Sequence, residues 1–127
     1  MERGDDYVSN VLGKRTYPRG FDTEVFSFAA LKRIWNEGKK KDDREHVTIY
    51  LRKNPEKFSA SSVEGKKDYS QYRLTLDEQK DYELIKTIYE TLDEKKVLRL
   101  NSIIDFLEKN PEVAKINQDV KQKHGKF

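Results

Sequence analysis

The sequence predicts a mixed α/β fold. Two short segments, YVSNVL at 7–12 and DTEVFSF at 22–28, alternate with a period of two and read as strands. The segment 78–92 instead repeats its apolar residues at helical spacing. Taken along the chain, the predicted order is strand, strand, helix, helix, strand, strand, helix, helix. About four strands and four helices are too few for a complete doubly wound sheet and match part of one.

In the first strand Val8, Asn10 and Leu12 alternate against Tyr7, Ser9 and Val11. Gly13, Pro18 and Gly20 break the pattern before the second strand, where Thr23, Val25 and Ser27 alternate against Glu24, Phe26 and Phe28. Ser27 is the expected N-cap of a helix through Glu37, with Leu31, Ile34 and Trp35 on one face and Gly38 closing it. Asp42 and Glu45 have capping-box spacing before HVTIYLRKN, whose inner stripe is expected to be Val47, Tyr50 and Leu51. Asn54-Pro55 stops that helix. KFSASSV and QYRLTL read as two further strands separated by EGKKD. Glu78–Leu92 then forms a helix with Leu84, Ile85, Ile88, Tyr89 and Leu92 on its apolar stripe. The last long helix starts at Asn101 with Ile103, Ile104 and Leu107 inward, and Asn110-Pro111 restarts a short turn of helix. The expected division is 1–117 as one structural unit and 118–127 as a polar, frayed tail.

A chain of 127 residues is long enough to bury a core, and its fourteen aromatics argue against disorder despite 39% charged residues. Seven of those aromatics are tyrosines, which suit partly buried clefts and contacts. The absence of cysteine excludes disulfides and thiolate metal sites. No apolar run approaches the ~20 residues of a membrane span, and MERGDDYVSN lacks an apolar leader. A cytoplasmic protein without a membrane partner is the expectation. Twenty-six basic residues face twenty-three acids with their signs interspersed, so no basic face marks a nucleic-acid binder.

No P-loop, nucleophile elbow, HExxH or GxGxxG spacing is present. The candidate chemistry therefore lies in carboxylates and one histidine. Asp22 and Glu24 stand two apart, which on a strand places both on one face. Two such acids either edge a solvated strand or hold a cation or substrate hydroxyls between them. Asp77 ends one predicted strand and opens the next helix, a place for an N-cap or for a single-carboxylate Mg²⁺ ligand. His46 follows Arg44 and Glu45, and on a continuous helix it shares a face with Tyr50 while Arg52 points elsewhere.

Four segments give these residues a context: DYVSNVLGKRTYPRGFDTEVFSFAAL, DREHVTIYLRKNPEKF, DYSQYRLTLDEQKDYELIKTIYETL and IIDFLEKNPEVAKIN. In this order, over residues 5 to 117, they resemble the C-terminal half of spore-coat-polysaccharide-type cytidylyltransferases, relatives of acylneuraminate and Kdo cytidylyltransferases. The resemblance implies a partial nucleotide-diphospho-sugar transferase fold. It also implies transfer of CMP from CTP to an acidic or otherwise modified sugar with Mg²⁺. It puts Asp22 and Glu24 on the sugar side and Arg44, Glu45 and His46 near the sugar or a subunit contact. LTLDEQKDYELI resembles the family's V-D-x-P-x-D-[FL]-E motif, whose first aspartate ligands metal and corresponds to Asp77, although Gln79 stands where proline is usual. The family's CTP-phosphate motif has no counterpart in this sequence. The expectation is thus a truncated or split enzyme, inactive alone, that meets CTP only through an N-terminal half or split-enzyme partner and forms a homodimer. The alternative is a non-catalytic sugar or sugar-nucleotide binding module, or a dimerisation module.

Overall fold

The computed structural model describes residues 4–92 and 98–122. The far end of the predicted tail, 123–127, lies outside them. The described residues form two units: residues 4–17 with 22–68, and residues 18–21 with 69–92 and 98–122. The chain thus visits the second unit briefly before returning to the first.

The first unit is built on a three-stranded sheet. Its central strand β1 (Tyr7–Ser9) pairs antiparallel with β2 (Glu24–Phe26) and parallel with β3 (Ala60–Ser62). Tyr7 lies opposite Phe26 and Ser9 opposite Glu24. Of the two alternating sets in β1, the one containing Tyr7 and Ser9 is buried. Helix α1 (Phe28–Glu37) begins where Ser27 Oγ accepts the Ala30 amide at 3.0 Å and ends at Gly38, as its sequence requires. Ala30 and Ile34 pack with Tyr7, Leu51 and Phe58 to form the core. Trp35, expected on the same face, is instead exposed and carries the Arg44 guanidinium 3.9 Å above its ring.

The next predicted helix is two helices, α2 (Lys41–Glu45) and α3 (Ile49–Lys53), separated at His46–Thr48. Asp43, rather than the Asp42–Glu45 pair, accepts the amide of Lys40 at 3.1 Å and starts α2. The break falls on the β-branched Val47 and Thr48, weak helix formers, and Thr48 spends its hydroxyl on a tertiary bond. Ile49 and Leu51 are consequently inward and Val47 is exposed. Asn54 ends α3 and Pro55 opens a single 3-10 turn.

In the second unit QYRLTL is not a strand. Arg19 donates to Tyr72 O at 3.0 Å, Leu74 donates to Arg19 O at 2.7 Å, and pairing stops there. The partner segment is four residues long and includes Pro18, which has no amide proton, so no ladder can extend. Gly20 permits the approach: at φ +102° its Cα faces Leu74 so closely that a Cβ would sit 2.0 Å from the Leu74 oxygen. Helices α4 (Gln79–Thr91), α5 (Leu100–Lys109) and α6 (Pro111–Ala114) follow. Leu84 and Ile88 of α4 meet Leu74, Ile103 and Leu107, while Tyr89 of the expected stripe is exposed. The count among the described residues is therefore three strands and six α-helices, still mixed α/β. Among them, no helix is long and apolar enough to cross a membrane.

Candidate functional site

The first unit holds a cleft of about 640 Å³. Asp22, Glu24 and Phe26 line one side of it, and Glu45, His46, Thr48 and Arg52 line another. The break between α2 and α3 is what brings His46 and Arg52 to the same cavity. A continuous helix would have separated them and paired His46 with Tyr50. Tyr50 instead faces away, donating to Glu37 at 3.0 Å and accepting from Lys57 at 2.7 Å.

The two acids do not share a strand face, because β2 starts only at Glu24. Each carboxylate is held separately. Arg15 pairs with Asp22 through both guanidinium branches, one of them at 3.0 Å. Glu24 accepts the phenol of buried Tyr7 and the hydroxyl of Thr48, the latter at 3.0 and 3.1 Å from its two oxygens. Burial first, and then the bond to Glu24, push the Tyr7 phenol up to about 12, against smaller opposing effects of Ser9 and the Arg52 charge. Tyr7 is therefore a neutral donor throughout the ordinary pH range. Of the sequence candidates, Asp22, Glu24, Glu45 and His46 meet at the cleft, while Arg44 is engaged with Trp35. The sequence reading gave Tyr7 and Thr48 no part in a site and pointed Arg52 away from His46, and only the tertiary structure brings them to Glu24 and the cavity.

Asp77 belongs to the second unit. It is not the helix cap: Glu78 occupies that position, and Asp81 at the third helical residue accepts the amides of Asp77 and Glu78 at 3.1 and 3.2 Å. Asp81 is fully buried and also takes Arg73 Nε at 2.9 Å, Arg73 Nη2 at 3.0 Å, Asn117 Nδ2 at 2.8 Å and Thr75 Oγ1 at 2.9 Å. Burial alone raises its pKa. The bonds from Arg73, Asn117, the Asp77 backbone and Thr75 outweigh that and hold it well below the usual carboxylate range. Asp77 itself is two-thirds exposed and has one long contact, 3.4 Å, to Arg73. Its lone pairs suit a hard cation, whereas those of Asp81 are filled. Among the described residues, no group of three or more His, Cys, Asp or Glu is placed to hold a metal. Asp77 thus offers a hard cation at most one carboxylate. The nearby Arg73 charge opposes a cation at that place.

A family model described as cytidylyltransferase matches residues 14–116. The chain belongs to that family. An uncharacterised protein of Methanocaldococcus jannaschii is 38% identical over 125 residues, covering 97% of this chain and 49% of its own length. Spore coat polysaccharide biosynthesis protein SpsF of Bacillus subtilis is 36% identical over 73 residues, 56% of this chain and 30% of its own. A solved cytidylyltransferase structure from Leptospira borgpetersenii superposes with a TM-score of 0.77 at 28% identity, over 94% of this chain and 48% of that one. This cytidylyltransferase-family chain therefore spans about half the length of those relatives, or less.

Proposed function

We propose that this chain is the sugar-binding portion of a Mg²⁺-dependent cytidylyltransferase that activates a sugar as its CMP derivative. The observation that carries the reading is the convergence of residues from two distant segments, DTEVF and REHV, on one cleft, where charged side chains stand among Val11, Phe26, Val47 and Ile49. Asp22 and Glu24 are fixed acceptors there, Glu45 adds another carboxylate, and His46 and Arg52 add donors, a set suited to sugar hydroxyls. Arg44, which stacks on Trp35, adjoins the cleft through its chain neighbours Glu45 and His46.

The CTP-binding elements are assigned to the portion of the relatives that this chain does not span, met as a fused or separate partner. Asp77 contributes one carboxylate to the metal, which when bound neutralises triphosphate charge in the displacement. The chain alone should not turn over, because nucleotidyl transfer needs the triphosphate held in line. A homodimer through the exposed apolar residues of the first unit, and a cytoplasmic location compatible with a cysteine-free chain, complete the reading.

The test is pyrophosphate release from CTP, Mg²⁺ and a panel of sugars, with this chain alone and with the nucleotide-binding portion of a relative added in trans. Silence alone and turnover together support the reading. Turnover by the chain alone contradicts it. Light scattering checks the dimer, and a monomer at high concentration removes that part.

A further inference from the structure

We propose that Tyr7 and Thr48 are positioning residues for Glu24: their hydroxyls fix its carboxylate so that its remaining lone pairs accept hydroxyl donors from a polyhydroxylated ligand in the cleft. The inference rests on the reading of the cleft as a sugar site and assigns the orientation of that site to two residues outside DTEVF and REHV.

Three observations carry it. Thr48 stands at the N-cap of α3, where a threonine hydroxyl ordinarily accepts a helix amide, yet it makes no such cap. It reaches both oxygens of Glu24 instead, at 3.0 and 3.1 Å. Tyr7 is wholly buried on the central strand, and its phenol emerges from the core to donate to Oε1 of the same carboxylate. Glu24 itself is exposed on the edge strand β2 and lines the cavity.

A free glutamate on an edge strand would sample several rotamers, and holding one of them on binding costs side-chain entropy. Here two donors from different elements, β1 and the α2–α3 break, remove that freedom before any ligand arrives. An ionised carboxylate offers about four acceptor positions. Two hydroxyl protons fill about half of them and leave the rest for a ligand in the cleft that Glu24 lines. The protein hydroxyls point their protons at Glu24, so the open positions can only accept. A ligand must therefore bring donors, as vicinal sugar hydroxyls do.

The experiment uses the whole chain and saturation-transfer NMR with glucose, N-acetylglucosamine and glucuronic acid, each added alone. Dissociation constants follow by titration for any that bind. Glu24→Gln should weaken binding about tenfold, the loss of a hydrogen bond to a charged group. Tyr7→Phe and Thr48→Val should each weaken it severalfold, and neither should weaken it further in a Glu24→Ala background, which leaves their hydroxyls no acceptor to position. Thr48→Ser, which keeps the hydroxyl, should restore binding. Melting curves identify variants that fold, and if Tyr7→Phe does not, the Val and Ser variants at position 48 decide. Folded Tyr7→Phe or Thr48→Val binding as tightly as wild type overturns the positioning role, as do additive losses in the double variants. Unchanged binding by Glu24→Gln also overturns it while leaving the cleft reading in place. No binding by any of the three sugars overturns the sugar reading on which it rests.

Discussion

Removing the Asp81 carboxylate should cost the second unit most of its stability. Asp81 has no exposed surface, and it holds both Arg73 donors, Asn117, Thr75 and two backbone amides at 2.8–3.2 Å. In Asp81→Ala, the nearly buried Arg73 keeps, among the described residues, the side-chain acceptors Asp77 at 3.4 Å and Gln122 at 2.6 Å. Breaking a buried ion pair from one side costs about 3–5 kcal/mol, much of it from the charge left behind. Against a total stability of roughly 5–15 kcal/mol that is a large fraction. The urea midpoint of the second unit should fall by roughly 2–3 M at an m-value near 1.5 kcal/mol/M. Asp81→Asn keeps the shape and one acceptor oxygen and should cost about 2 kcal/mol. The pH dependence fixes the cause. Because the folded-state carboxyl lies below its unfolded value, its contribution is complete above about pH 4 and is lost as pH falls toward the folded value. The gap between wild type and Asp81→Asn should therefore narrow from pH 7 to pH 3, as followed by urea titrations at each pH. A cost below about 1 kcal/mol for Asp81→Ala, or a gap that does not narrow, would refute the reasoning.

Other perturbations separate the remaining claims. The Tyr7 phenol is raised to about 12, so its contribution is intact below about pH 10 and lost between pH 10 and 12. Tyr7→Phe should flatten that alkaline loss in thermal melts, and an unchanged profile would assign it to other groups. Gly20→Ala forces a Cβ to 2.0 Å from the Leu74 oxygen at φ +102°, so it should destabilise by more than about 2 kcal/mol in chemical denaturation. Ser27→Ala removes the α1 cap and should cost about 1 kcal/mol, with Ser27→Asn near neutral in the same measurement. Asp77→Asn should leave the melting temperature nearly unchanged, since that side chain is exposed, yet abolish pyrophosphate release in the reconstituted system. Retained turnover would remove Asp77 from the metal site.

Local chemistry was legible where a residue acts on its own neighbours. Ser27 capping α1, Pro55 ending α3, Pro111 opening α6 and the Ile103–Ile104–Leu107 stripe all follow from spacing and backbone rules. Family membership was legible too, because several motifs in one order constrain a sequence more than any single motif. What escaped depends on partners distant in the chain. Thr48 breaks a helix because Glu24, twenty-four residues earlier, offers its hydroxyl a better partner than the helix does. Leu74 looks like a strand residue, but among the described residues the backbone it bonds to is a four-residue excursion bearing Pro18. Arg73 and Asp81 are two of many charges in a chain with 39% charged residues, and their burial follows from each other and from Asn117. At the candidate site, the acid pair was visible, but its clamps by Arg15, Tyr7 and Thr48 were not.

The central claim, that the first-unit cleft binds a sugar, is tested most directly by mapping backbone amide shifts of the intact chain as individual sugars are titrated in. The account predicts saturable shifts concentrated at residues 22–26 and 45–52, which line the cleft, and their loss in Glu24→Gln. Shifts confined to the apolar cleft of the second unit, around Phe21, Leu74 and Ile88, or no saturable shift with any sugar, would contradict it.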